Sequence, residues 1–406
     1  MDRRNFIRLS GGGMVAAATV GAAGCASPGE SDFPAEAVKV WRGPVGETDP
    51  RRVALAYAIT APNPHNLQPW LIDLQTPNEI WVYTDPQRIL PQTDPFGRQI
   101  LIGHGAFIEL LSIALAEQGL SAQVQLWPRG PFGEQLVGEL PIARLVIKAG
   151  ASQDPLFAHI LQRRTPKTDF DASRPVPPAM LQSLIASHSV ASHSDASHSD
   201  ASHGHQPIQT QGTVAADRLA ALRTLCVESA RVELTTPRTM MESIKLIRVG
   251  PREILEHRDG ISINSLPVRL FNALGMFDRS AAPAVGSSEF KMALARFEGH
   301  SRSAMGFLWM SSAGNSRSEQ IEVGRAYVRL QLRATELGLG VHPMSQALQE
   351  FAEMGPFYEQ AHRLLLGRSA PASSADPTVQ MFCRLGFTGA PASSTPRRPI
   401  AAFVRT

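Results

Sequence analysis

Two stretches of this chain repeat one another at a fixed offset of 219 positions, and that repeat limits the fold more than any other feature. Gly105, Leu111, Ile113, Glu117, Gly119 and Leu120 recur as Gly324, Leu330, Leu332, Glu336, Gly338 and Leu339. Each stretch is apolar at helical spacing and ends at Gly-Leu, a helix stop followed by extended chain. Apolar helices also match by chance, but two related halves in one polypeptide is the economical explanation. The first half, 50–150, predicts a helix at Arg51–Ile59 and a hairpin of Leu71–Leu74 with Glu79–Tyr83. An apolar helix at Phe107–Gln118 and a strand at Arg144–Lys148 complete it. The second half, 151–406, predicts helices at Ala215–Arg231 and Ile321–Leu337, with strands at Gly306–Met310 and Phe382–Phe387. Hairpins mixed with helices in this order argue for a layered α+β fold. No glycine-rich phosphate loop follows a predicted strand, which argues against Rossmann and P-loop sites.

Between the first helix and the first strand runs Ala61 to Trp70, APNPHNLQPW. Pro62 and Pro64 lack an N–H and push their predecessors toward extended geometry, so the helix must stop there. Such a rigid loop can offer backbone groups and the Asn63, Asn66 and Gln68 amides to a planar heterocycle that both donates and accepts hydrogen bonds. It can equally be a helix-to-strand turn around a core tryptophan, the reading that composition alone favours.

The second half supplies charge. Arg163-Arg164-Thr165-Pro166-Lys167 puts three cations and a hydroxyl within five residues, a set suited to a phosphate dianion or, equally, to a solvated basic turn. Further on lie Gly340-Val341-His342-Pro343-Met344-Ser345-Gln346 and Pro396-Arg397-Arg398-Pro399.

Together these segments resemble the FMN-dependent nitroreductase family. Pro62 to Trp70 is similar to its P-[SN]-x-x-N-x-Q-P-W segment, and Arg163 to Phe170 to the basic element that opens its subunit, with one extra residue before Phe170. Gly338 to Gln346 resembles the segment whose backbone meets the flavin N5, and Arg397-Arg398 its terminal phosphate clamp. The resemblance implies an α/β/α layered sandwich in which two fused halves form a pseudo-dimer, as in the duplicated Acg-type branch. It implies one FMN held by Pro62, Asn63, Pro64, Asn66, Gln68, Arg163, Thr165, Lys167, Pro343, Ser345, Gln346, Arg397 and Arg398. The implied activity passes electrons from a small-molecule donor to a nitroaromatic, quinone or similar acceptor. A flavin-sequestering protein and a substrate-driven flavin oxidase or dehydrogenase are the alternatives. No side-chain catalyst beyond the flavin and no metal site is identified.

The remaining segments bear on location. Asp2-Arg3-Arg4-Asn5-Phe6-Ile7-Arg8 followed by apolar Leu9–Gly24 resembles a twin-arginine (Tat) export signal, and Ala22-Ala23-Gly24-Cys25 a lipobox. Residues 1–26 are therefore expected to be a leader, with an exported, periplasmic or Cys25-lipidated product, and 27–49 a tether. Of the formal charge of +3, Asp2, Arg3, Arg4 and Arg8 account for +2, so the remainder is nearly neutral and gives no case for nucleic acid. Residues 187–206 repeat Ser-His with His188, His193, His198 and His203 five apart, a spacing that rotates each by about 140° on a helix. They read as a low-complexity linker. Residues 237–300 read as a lid or insertion, and the fused halves predict a monomer.

Overall fold

The computed structural model of the protein describes residues 32–130, 133, 139–187 and 207–405. Helix α1 (Pro50–Ala58) starts where Asp49 accepts the Arg51 N–H and Pro50 fills the first turn. After the proline loop come β1 (Trp70–Asp73), β2 (Glu79–Thr84), the long α2 (Arg98–Ala116), β3 (Leu120–Leu126) and β4 (Pro141–Ala149). The second half follows with α3 (Pro178–Ala186), β5 (Gln209–Thr213) and α4 (Ala216–Thr235). An insert then carries α5 (Pro237–Lys245), β6 (Ile247–Val249), α6 (Gly250–His257), β7 (Ile261–Ile263), α7 (Leu266–Ala273) and α8 (Ser288–Arg302). It returns to β8 (Gly306–Ser312), α9 (Arg317–Glu336), β9 (Gly340–Pro343), α10 (Gly355–Leu366) and β10 (Thr378–Gly386).

The two four-stranded sheets have the orders β1-β2-β4-β3 and β5-β8-β10-β9, antiparallel throughout. Each half is thus one topology, with its long helix between the second and third strands. The helices α2 and α9 cross at the repeated glycines. A β-carbon on Gly105 would sit 1.9 Å from the Ile321 carbonyl oxygen, and one on Gly324 1.9 Å from the Ile102 carbonyl oxygen. Residues 102 and 321 are themselves 219 apart, so the contact is reciprocal, as at a two-fold axis. The repeat in the sequence is the seam of the molecule.

The layers differ between halves. The second sheet is buried on both faces, under α3 and α9 on one side and under α4 and α10 on the other, and every residue of β8 and β10 is buried. This half is an α/β/α sandwich. The first sheet packs one face on α1 and α2, while its other face carries Trp81 with Arg129 and Arg144 over the ring. α2 is long and apolar enough to cross a membrane, and most of it is buried in this core.

The tail of the second half returns to the first. Val404 bridges Ile72 in parallel, and Ile72 and Phe403 share a backbone bond of 2.8 Å. Trp70 stacks on Phe107 at 4.7 Å with Phe403 beside it, so the loop does end on a core tryptophan. One expectation changes. The stretch expected to be a tether contains helical turns at Ala35–Val38 and Lys39–Arg42 and buries Trp41. The insert, read as a lid or insertion, meets the proline loop through Gly260 N–H to the Asn66 carbonyl at 3.3 Å and Gln68 Nε2 to the Arg258 carbonyl at 2.9 Å. The histidine repeat and the leader lie outside the described residues.

Candidate functional site

A cleft of about 210 Å³ opens where the two halves meet. The first half contributes Pro62, Asn63, Pro64 and Asn66, and the second contributes Arg163, Thr165, Lys167, Pro343, Ser345 and Arg397. These ten residues, separated by up to 335 positions, line one space.

The loop owes its shape to its own side chains. His65, Asn66 and Gln68 all have positive φ (48°, 56° and 54°), which costs a non-glycine residue energy unless neighbours impose it. The neighbours here are the amides. Asn63 Oδ1 accepts the Gln68 N–H at 2.8 Å, and its Nδ2 donates to the Ala61 carbonyl. Asn66 Nδ2 donates to the Pro396 carbonyl, and Gln68 Nε2 to the Asn66 and Arg258 carbonyls. The expectation that these amides face a heterocycle is therefore corrected: they hold the loop, and Gln68 does not line the cleft. Gly103 lets the loop approach α2, since a β-carbon there would meet Asn63 and Pro64 at 3.2 and 3.4 Å.

The second half brings positive charge with nothing to cancel it. Arg163, Arg164, Lys167 and Arg397 have no carboxylate ion pair among the described residues, and burial lowers all four from their ordinary pKa ranges. Arg163 and Arg164 fall to about 10 and Lys167 to about 8, the last also repelled by Arg296 and Arg397. Lys167 keeps much of its surface open to solvent through the cleft, which tempers its shift. Arg163 and Arg397 spend donors on the C-terminal end of α1. Arg163 Nη2 reaches the Thr60 carbonyl at 2.7 Å, and Arg397 reaches the Ile59, Thr60 and Ala61 carbonyls at 2.9–3.2 Å. A helix C-terminus carries partial negative charge, so this offsets part of the repulsion. Arg163 Nε remains buried without a partner. Arg164 lies flat on Trp41 at 4.1 Å and uses one nitrogen for two carbonyls.

One further expectation is corrected. Arg398 points away from the cleft: its N–H donates to Gln68 Oε1 and its guanidinium to the Ala402 and Gln68 carbonyls. Adjacent residues of an extended segment face opposite sides, so only one of the two arginines could enter. The Gln346 side chain does not line the cleft, so only its backbone N–H, the group the resemblance assigns to the ring, bears on the site. The turn Ser345–Leu348 opens beside the cleft, and the leading N–H groups of such a turn take no partner within it.

Other groups at the site were not singled out from sequence. Trp41 had no periodic signal around it. His342, inside a segment already of interest, accepts from Arg384 Nε at 2.9 Å and packs edge-on to His300. His300 Nε2 in turn donates to the Lys167 carbonyl at 2.9 Å. His65 lines the cleft and meets Ser243 Oγ at 3.2 Å. The buried Glu233 accepts from Gln349 Nε2 at 3.0 Å, and burial pushes its pKa up to about 7. Among the described residues no group of three potential ligands gathers to hold a metal ion.

The arrangement is a polar-ended cleft with a cationic floor, one rigid wall and backbone donors at its edge. No family model matches this chain. It is 32% identical over 124 residues to the uncharacterized protein Rv3127 of Mycobacterium tuberculosis, covering 29% of this chain and 35% of that one. It is 35% identical over 81 residues to "Putative NAD(P)H nitroreductase acg" of the same species, covering 20% of this chain and 24% of that one. The chain thus spans about a third or less of the curated relatives it matches. Its alignment with the FMN-dependent nitroreductase NfnB from Mycobacterium smegmatis in complex with NADPH has 18% identity and a TM-score of 0.36. That alignment covers 60% of this chain and 94% of NfnB.

Proposed function

We propose that this chain is an FMN-dependent oxidoreductase of the nitroreductase type, in the internally duplicated Acg-like branch, with one flavin site shared by its halves. The observation that carries the reading is the set of four cleft cations without a carboxylate ion pair among the described residues. Uncompensated charge at low dielectric is costly, and a bound dianion relieves it. FMN fits the donor set. Arg164, Lys167 and the orphaned Nε of Arg163 would hold the phosphate, and the leading N–H groups of the Ser345 turn would meet acceptor atoms at the ring edge. Pro62, Pro64, Pro343 and Met381 give apolar wall. When bound, the flavin supplies the redox chemistry. The protein's share is to bind, to orient, and to keep positive charge where reduction adds electrons. The relatives' names favour NAD(P)H as donor and a nitro compound as acceptor, and the resemblance adds quinones.

A second reading of the donor rests on Arg3-Arg4 and the apolar run after them. If that leader exports the protein, cytoplasmic NAD(P)H is out of reach and the donor is the enzyme's own substrate. Both readings are tested on the purified full chain, by its absorption spectrum, by the mass of the released cofactor, and by NAD(P)H oxidation with and without a nitroaromatic. Bound FMN with turnover supports the first donor, and bound FMN without it the second. A protein that binds inorganic phosphate but no flavin contradicts both.

A further inference from the structure

The insert carries a surface that the cleft does not use. From Gly260 through Phe277 the only charged side chain is Arg269. Leu266, Leu270 and Leu274, four apart and so on one face of α7, are 63%, 55% and 71% exposed, and Met276 follows at 57%. The helix buries none of its residues. Among the described residues, seven of the nine large apolar side chains left exposed fall between Leu255 and Met292. Apolar exposure scattered singly needs no explanation, but a contiguous patch does.

Two observations say what covers it. The first is where the chain enters. The Asp32 carbonyl accepts from Asn264 Nδ2, two residues before α7, and the Asp32 carboxylate accepts from Ser393. The upstream sequence, with apolar Leu9–Gly24 and Cys25, therefore joins the fold at the edge of this patch. Cys25 is seven residues from Asp32, a reach of about 25 Å if extended. The second is charge. Over residues 245–279, Arg269 on α7 itself, and Lys245, Arg252 and Arg258 elsewhere in the insert, have no salt bridge among the described residues, against two such carboxylates at Glu256 and Asp278, whereas Arg248 and Arg279 are paired with Asp259 and Glu253. An apolar helical face in a segment with surplus unpaired cations matches an anionic bilayer surface. A second copy fits less well, because one two-turn helix offers much less than the roughly 1,200–2,000 Å² of a stable interface.

We propose that α7 and the turn through Phe277 seat this protein on an anionic lipid surface, the helix lying in the interfacial plane with Leu266, Leu270 and Leu274 toward the acyl chains. The proposal is independent of the redox reading. It is tested on the full chain carrying Cys25→Ser, which removes any lipid at that thiol, with Leu270→Cys bearing an environment-sensitive fluorophore. Cys226 and Cys383 are buried, so labelling is selective. Vesicles of phosphatidylcholine and phosphatidylglycerol carry a spin-labelled acyl chain as quencher. The label at 270 should be quenched, and Leu266→Glu with Leu274→Glu should lower its partitioning about tenfold or more. Those positions are exposed, so an unchanged melting temperature shows the variant is folded. Vesicle-bound protein with an unquenched label would mean that the N-terminal segment alone anchors it, and overturns the proposal. So does quenching that the glutamates leave unchanged. Doubling of mass in solution that the glutamates abolish, without quenching, identifies a second copy as the occupant and also overturns it.

Discussion

Two clusters of buried arginine lie on the seam between the halves, and they are built in opposite ways. At the helix crossing, Arg325 and Arg329 of α9 both reach Glu109 of α2 at 2.8 Å, and Arg329 also reaches Asp154 at 2.7 Å. The neighbouring Glu322 completes a set with more acid than base. Glu109 is held below the usual carboxylate range despite its burial, because both guanidinia face it. At the cleft, Arg163, Arg164, Lys167 and Arg397 have carbonyls, a hydroxyl and an indole ring for neighbours, and no ion pair to an acid among the described residues. The first cluster is closed and joins two helices. The second is open and calls for an anion from outside the chain. Burial alone does not separate structure from function here; charge balance does.

That contrast can be broken by mutation. Glu109→Gln leaves two buried guanidinia without their shared carboxylate and should cost about 3–5 kcal/mol of stability, read from denaturant unfolding. A loss comparable to a surface change would mean that the crossing cluster is not closed. Arg164→Ala should behave in the opposite sense. It relieves repulsion, so the flavin-free protein should keep its melting temperature, while FMN affinity falls by about 1.5–3 kcal/mol, roughly ten- to a hundredfold. Arg398→Ala, one residue from a cleft arginine but facing away, should leave that affinity within about twofold. Equal losses in the two variants would undo the assignment of the floor.

Lys167→Met should weaken FMN less than Arg164→Ala, since solvent screens a charge at the open mouth. Titration calorimetry orders the two. A pH-dependent effect concerns Glu233. Its folded pKa, about 7, lies above its ordinary 4.5. Between those values the folded state holds a proton that the unfolded state has released, so stability falls as pH rises through the window. Glu233→Gln should flatten the unfolding free energy between about pH 4.5 and 7, and an unchanged slope would assign the dependence to another group.

Much of the seam was legible in the sequence, because a repeat at constant offset survives translation into structure. Gly105 and Gly324 mark the crossing for a physical reason: only a residue without a β-carbon lets the two backbones touch. The prolines of the loop and the basic run at Arg163 were equally visible, since composition fixes where a helix must stop and where charge gathers. Orientation was not visible. Asn63, Asn66 and Gln68 have the right chemistry for a ligand, but the left-handed backbone at three nearby positions turns their amides inward. Arg397 and Arg398 differ only in the parity of an extended segment. Trp41 sits among Gly and Pro residues where no period betrays burial, and it reaches the cleft because Arg397 N–H bonds the Ala37 carbonyl. Glu233 comes from a helix that otherwise packs the second sheet, and only the folded chain shows that its carboxyl is buried.

The central claim is that one polypeptide completes a single flavin site from two unequal halves. Native mass spectrometry of the purified full chain with saturating FMN reads it directly. One FMN on a single chain, with occupancy at limiting FMN lowered in Arg164→Ala and retained in Arg398→Ala, is the predicted result. Two flavins on one chain, or flavin found only on paired chains, would contradict it.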